Sequence, residues 1–135
     1  MSSADSTPVL HAVLICRDVK ADERGEISLL NVVEILPTDT LPADIGPLCF
    51  VAFVRNLPAG QGAGAFLLRH PYGTPLGRLP LDVNVPAGLE GRQLALHVKL
   101  ASMPIEAGGW FEVAFEWDGA LLGTNRFAIG SRQGD

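Results

Sequence analysis

Between Gly108 and Gly130 the chain reads GGWFEVAFEWDGALLGTNRFAIG, and this stretch narrows the choice of fold more than any other. Phe111, Val113, Phe115 and Trp117 occupy alternate positions, with Glu112, Ala114 and Glu116 between them. A period of two puts the first set on one face of a strand and the second on the other, so one face enters a core and one meets water. Asp118-Gly119 interrupts the alternation, and Leu121, Leu122, Phe127 and Ile129 resume it. Asp-Gly between two such runs signals a hairpin, because the two-residue loop that matches strand twist needs positive φ at both positions. The stretch therefore predicts a β-hairpin inside a β-rich fold.

The same reading carried along the chain predicts eight strands and no helix. The first six are Val9–Val19, Ile27–Leu36, Leu48–Asn56, Ala65–His70, Leu76–Val85 and a run that alternates through Leu94, Leu96, Val98 and Leu100; the hairpin supplies the last two. LPAGQGAG, before Ala65, reads as a loop, and His70-Pro71-Tyr72-Gly73 as a tight turn with proline at its second corner. Pro80 falls on the polar side of its run, which marks an edge strand. The connection from Pro37 to Pro47 is too long for a hairpin and suits a crossing between sheets. Short strands with Gly/Pro turns argue for a single antiparallel β-sandwich of about eight strands, Greek-key or immunoglobulin-like, with a small closed barrel as the alternative. At 135 residues this is one domain, expected over residues 8–130 with disordered tails at 1–7 and 131–135.

The first three runs differ from the later ones in being apolar on both faces. Val9, Val13 and Ile15 oppose Leu10, Leu14 and Cys16; Ile27, Leu29, Val33 and Ile35 oppose Leu30, Val32 and Leu36; Leu48, Phe50 and Val54 oppose Val51 and Phe53. Only one face of each can reach the core of a sandwich. The other needs a cover: a loop, a tail, a second copy or a partner. With 47% hydrophobic and 19% charged residues the chain has apolar surface to spare. The expectation is a non-enzymatic module that acts through a protein partner or a homodimer, with Val9, Val13, Ile15, Val32, Val51 and Phe53 as the candidate interface.

Several classes of function find no support. The formal charge is −5 and the ten basic residues are scattered singly, so no patch exists to release counterions from nucleic acid. The longest apolar run, Leu48 to Val54, is far short of a membrane span. MSSADSTP carries an acid where a secretory leader has a basic region, which points to the cytoplasm. There Cys16 and Cys49 are expected as buried free thiols, with a single disulfide as the alternative. Gly60, Gly62 and Ala65 match the dinucleotide fingerprint, but Pro71 follows too soon for the helix that would hold a pyrophosphate. Lys20 interrupts the acidic turn Asp18, Asp22, Glu23, Glu26 where a calcium loop wants an oxygen ligand. His11, His70 and His97 show no metal or catalytic spacing, so no cofactor, metal or catalytic residue is expected.

A second reading is a small-ligand module, carbohydrate-like in its use of aromatic stacking, with His70, Tyr72 and Trp110 as contacts. Three passages also resemble a family of small uncharacterised bacterial all-β domains, known only as domains of unknown function. They are HAVLICRDVKADERGEISLLNVVEIL, RHPYGTPLG and the closing GGWFEVAFEWDGALLGTNRFAIG, with the motif matches at Gly25 to Leu29, Gly109 to Phe111 and Asp118 to Gly123. The resemblance spans most of the chain and implies an immunoglobulin-like sandwich. Its motifs are turns and core positions, so it brings no activity or binding residue with it.

Overall fold

A computed structural model describes residues 7–24, 26–38, 40–70, 75–89 and 91–130. Both predicted tails (except Thr7), and Pro71, Tyr72 and Gly73 of the predicted turn, lie outside the described residues. Eleven strands follow one another: β1 (Val9–Ala21), β2 (Ile27–Val32), β3 (Ile35–Pro37), β4 (Ala43–Asp44), β5 (Leu48–Arg55), β6 (Gly60–Arg69), β7 (Pro75–Val85), β8 (Gln93–Leu100), β9 (Pro104–Ile105), β10 (Gly109–Trp117) and β11 (Ala120–Gly130). One sheet has the order β2-β1-β5-β8 and is antiparallel; the other has the order β3-β11-β10-β6-β7, and β4 pairs with β9. The second sheet is mixed, because β3 runs parallel to β11. The chain is all-β, as expected, but the clean eight-stranded antiparallel sandwich is replaced by two curled sheets and a small pair, closer to a half-barrel.

The hairpin forms as the sequence requires. Asp118 and Gly119 take φ of 48° and 85°, the left-handed conformation that the tight turn demands. Asp118 does more than turn the chain: its amide donates to the Ala63 carbonyl at 2.7 Å, and its Oδ1 accepts from the Ala63 amide at 2.9 Å. The turn is thereby pinned to β6. Phe111, Phe115 and Phe127 of the hairpin enter the core, where Phe66 lies 5.0 Å from Phe115 and 6.1 Å from Phe50 between ring centroids. Phe50 comes from the opposite sheet, so the aromatic cluster joins the two layers.

Three departures from the expected elements have physical causes. The predicted strand Ile27–Leu36 is two strands, β2 and β3, in different sheets. Asn31 adopts φ of 57°, a conformation its short polar side chain tolerates, and the chain then leaves β1 for β11. Val33 still donates to the Ile15 carbonyl at 2.7 Å, while the Ala128 amide donates to Glu34 at 2.9 Å, so the crossing is bonded to both sheets. The predicted loop LPAGQGAG is instead mostly strand, since β6 begins at Gly60. Its glycines make room: a Cβ on Gly62 would stand 2.1 Å from the Trp117 ring. The Pro37–Pro47 connection carries β4 and is clamped by Arg17, whose Nη1 donates to Ile45 at 2.6 Å and Pro47 at 3.0 Å.

The second apolar face of the first sheet does not simply lie open. Cys16, Val19, Cys49 and Val51 form a separate buried cluster, with Ile27, Leu29 and Phe53 packed against it. Val19 of β1 and Ile27 and Leu29 of β2 thus pack with the cysteines, so part of the expected surplus is absorbed within the chain.

Candidate functional site

The six residues expected at an interface separate into three groups. Val13 and Ile15 are core residues, paired across β1 and β5 with Ala52 and Phe50, and buried with them. They are corrected out of the surface set, because their parity is the one that faces Phe66 and the second sheet. Val51 is fully buried in the second cluster and is corrected likewise, while Phe53 is half-buried beside it. Val9 and Val32 remain at the surface, 47% and 53% exposed, Val9 at the start of β1 opposite Arg55 and Val32 on β2 opposite Cys16.

Val32 has company that the sequence reading missed. Leu30 is 37% exposed and Ile35 is 65% exposed, so Leu30, Val32 and Ile35 crowd one short segment. Among the described residues β2 pairs only with β1, and β3 only with β11, so both are edge strands and one continuous segment supplies both edges. The two remaining edges are guarded. Pro80 of β7 is exposed, and Arg78 on the same strand reaches Glu116 at 2.9 Å. On β8, exposed Gln93, His97 and Lys99 alternate along the strand, and Lys99 pairs with Asp18 at 3.0 Å. Lysine and proline are the residues that blunt free edges. β2 has neither, and β3 has only Pro37, its last residue. That absence was readable in the sequence, but only once the segment is known to be an edge.

The expected ligand contacts do not converge. His70 meets Phe111 edge-on, with centroids 5.5 Å apart, and lines a cavity. Trp110 is exposed on the other face of β10, with the Arg126 guanidinium 5.4 Å from its ring. Tyr72 lies outside the described residues. The cavity occupies about 560 Å³ where β6 ends, β7 begins, β8 ends and β10 begins. Leu68, Leu79, Leu100, Met103, Ile105 and Phe111 give it an apolar wall, and His70, Ser102 and Glu106 are its polar lining.

Asp44 holds one side of that cavity in place. Its Oδ2 accepts from the Ser102 hydroxyl at 2.5 Å, and its Oδ1 accepts from the amides of Met103 at 2.8 Å and Gly46 at 3.0 Å. These donors, the Ser102 hydroxyl first, hold the Asp44 carboxyl below the ordinary aspartate value. Asp18 is lowered too, chiefly by its bond from Lys99 and then by the Val19 amide. A carboxyl whose folded value is depressed stabilises the fold fully above its unfolded value, near pH 4, and loses that contribution as pH falls towards the folded value. The melting temperature is therefore expected to fall steadily below about pH 4. An Asp18→Asn/Asp44→Asn protein should show a flatter acid limb in the same pH series, and an unchanged slope would remove both carboxyls from the account.

Cys16 and Cys49 are directly paired across β1 and β5, and both are free thiols. Burial, with the neighbouring Cys49, pushes Cys16 up to about 11, and burial also raises Cys49. Such thiols are poor nucleophiles at neutral pH. Among the described residues no group of three His, Cys, Asp or Glu could hold a metal ion, and no helix is long and apolar enough to cross a membrane.

No protein-family model matches the chain, and no curated protein matches it. Solved structures do. One is an alkylpurine DNA glycosylase, AlkC, from Pseudomonas fluorescens bound to DNA containing an abasic site analog; the match has 12% identity and a TM-score of 0.49, and covers 92% of this chain and 30% of that one. Another is a β-glucosidase from Listeria innocua in complex with glucose, at 10% identity and a TM-score of 0.46, covering 73% of this chain and 15% of that one. The same glucosidase with isofagomine matches at 9% identity and a TM-score of 0.46, over 89% of this chain and 16% of that one. This chain thus spans less than a third of the length of these proteins. Both are enzymes, so the expectation of a non-enzymatic chain is withdrawn, without an activity being assigned in its place. The glycosylase structure also contains DNA, against the expectation of no nucleic acid. At these identities neither the activities nor the DNA contact passes to this chain.

Proposed function

We propose that the chain acts through protein contact, as a homodimer or with a protein partner, along the β2–β3 edge. The observation that supports this reading is the coincidence of three exposed apolar side chains, Leu30, Val32 and Ile35, with two edge strands of which β2 carries neither lysine nor proline and β3 carries only Pro37, at its end. An exposed edge presents unpaired amides and carbonyls that a further strand can satisfy, and apolar side chains beside it add burial to the pairing. The residues at the centre of this reading are Leu30, Val32 and Ile35, with Val9 outside the patch. The architecture is read as a variant of the immunoglobulin-like sandwich, in which one segment changes sheets and runs parallel to the last strand; β2, β3 and β11 support that reading.

Absolute mass by light scattering on a sizing column, over a concentration series, tests the self-association half. A mass of twice the 14.3 kDa chain that persists on dilution supports a homodimer. A monomer throughout rejects it and moves the test to a partner, with Val32→Glu as the bait that should capture nothing the wild type captures.

A further inference from the structure

We infer that the cavity between β6, β7, β8 and β10 is a binding site for a small, largely apolar molecule of fused-ring size that carries one hydroxyl or amine at its outer end. On β7 the residues Leu79, Leu81 and Val83 pack against the core, and alternation places Gly77 on that same inward side. It is the partner of Leu68, a buried core residue, across the β6–β7 ladder. Glycine in a strand normally answers to backbone conformation or to the close approach of a neighbour. Neither applies. The φ of Gly77 lies outside the left-handed region, and a Cβ there would meet no heavy atom of the described residues within 4 Å. Gly62 and Gly64, on the adjacent strand, are the contrast, since each faces an aromatic ring at close range. A leucine at position 77 would continue the inward row; the glycine leaves that volume to the cavity.

The remaining features suit a ligand of that class. A volume of about 560 Å³ lies within the roughly 300–1,000 Å³ of small-molecule sites. The wall is built from Leu68, Leu79, Leu100, Met103, Ile105 and Phe111, so most of the ligand must be apolar. Polar groups are confined to His70, Ser102 and Glu106. Ser102 already donates to Asp44, which leaves the exposed Glu106 carboxylate as an acceptor for a ligand O–H or N–H. The site is separate from the β2–β3 edge and does not depend on it.

The test uses N-phenyl-1-naphthylamine, whose fluorescence rises in apolar surroundings, with the full chain. The expected result is saturable binding at one probe per chain, and displacement by 1-naphthol at lower concentration than by naphthalene. Gly77→Phe fills the inward position and should weaken the probe at least tenfold while melting at or above the wild-type temperature, because replacing a glycine of ordinary conformation restricts the unfolded chain. Should that protein not fold, Ala107→Trp, at an exposed position on another side of the cavity, serves the same purpose. Val32→Glu, on the distant edge, should leave the probe unaffected. Unsaturable binding, or binding within twofold of wild type in both filled variants, overturns the assignment. Loss of binding in Val32→Glu overturns it also, since the probe would then report the exposed edge. Equal displacement by naphthol and naphthalene overturns the polar end.

Discussion

Val13→Glu leaves no folded protein, whereas Val32→Glu folds, melts within a few degrees of wild type, and stays a monomer at concentrations where the wild type associates. Both replace a valine of the first two strands by the same charge, and the sequence assigned both to one candidate surface. Their environments differ. Val13 is 3% exposed and packs between the sheets, so its replacement buries a carboxylate with no partner. An unpaired buried charge costs about 3–5 kcal/mol or more, against a total stability of about 5–15 kcal/mol for a domain. The lost valine packing adds to that. Val32 is more than half exposed on an edge strand, where a polar substitution is expected within about 0.5 kcal/mol of neutral. Its effect falls on association, because an added strand would bring the carboxylate into an apolar contact. Circular dichroism melts and light scattering on the two proteins decide the matter. A folded Val13→Glu would displace the core from where the packing puts it, and an associating Val32→Glu would clear the β2–β3 edge.

This pair also shows where sequence was sufficient and where it stopped. Alternation identified Phe111, Val113, Phe115 and Trp117 as one face, and all four are buried. The Asp118-Gly119 turn was equally plain, because only a few residues tolerate positive φ twice in succession. For β1 to β5 the pattern announced two apolar faces without saying which was inward. That choice depends on the pairing of β1 with β5 and on the packing of β2 against the Cys16–Cys49 cluster, contacts that alternation within one strand does not encode. The split of Ile27–Leu36 was hidden for a related reason: the apolar spacing runs on past Asn31, while the chain passes from one sheet to the other between Val33 and Glu34. In the glycine run the residue type misled. Glycine punctuates loops often enough to be read that way, yet in β6 it accommodates aromatic rings from the neighbouring strand. The same ambiguity concealed the cavity, since Gly77 becomes unusual only after the space beside it is seen to be open. Asp44 and Ser102 stand 58 positions apart and meet only through the β4–β9 pair.

The fit of Gly62 against Trp117 yields the second large effect, and it is best measured as a coupling. The ring is 4% exposed and rigid, and a Cβ at position 62 would stand 2.1 Å from Cζ2 and 2.7 Å from Cη2. Those two atoms belong to the larger indole ring, and the ring must move before Gly62→Ala can fold. Overpacking of this kind costs about 1–3 kcal/mol. Trp117→Phe removes the outer ring and leaves a cavity, a loss of about 1–2 kcal/mol by comparison with full truncation of aromatic residues. Part of that is offset, since the Trp117 Nε1 is buried with no hydrogen-bond partner among the described residues, and phenylalanine carries no such donor. In the double substitution the new methyl group occupies space the indole has vacated, so each change relieves the other. Urea melts of the four proteins should show the double variant more stable than the sum of the single losses by about 1–2 kcal/mol, well inside the range of couplings between touching residues. Losses that add to within about 0.5 kcal/mol would mean that the methyl and the indole never compete for the same volume. The glycine of β6 would then have some other cause, and the account of why a loop-like sequence forms a strand would have to be rebuilt from Gly64, Phe115 and Leu81.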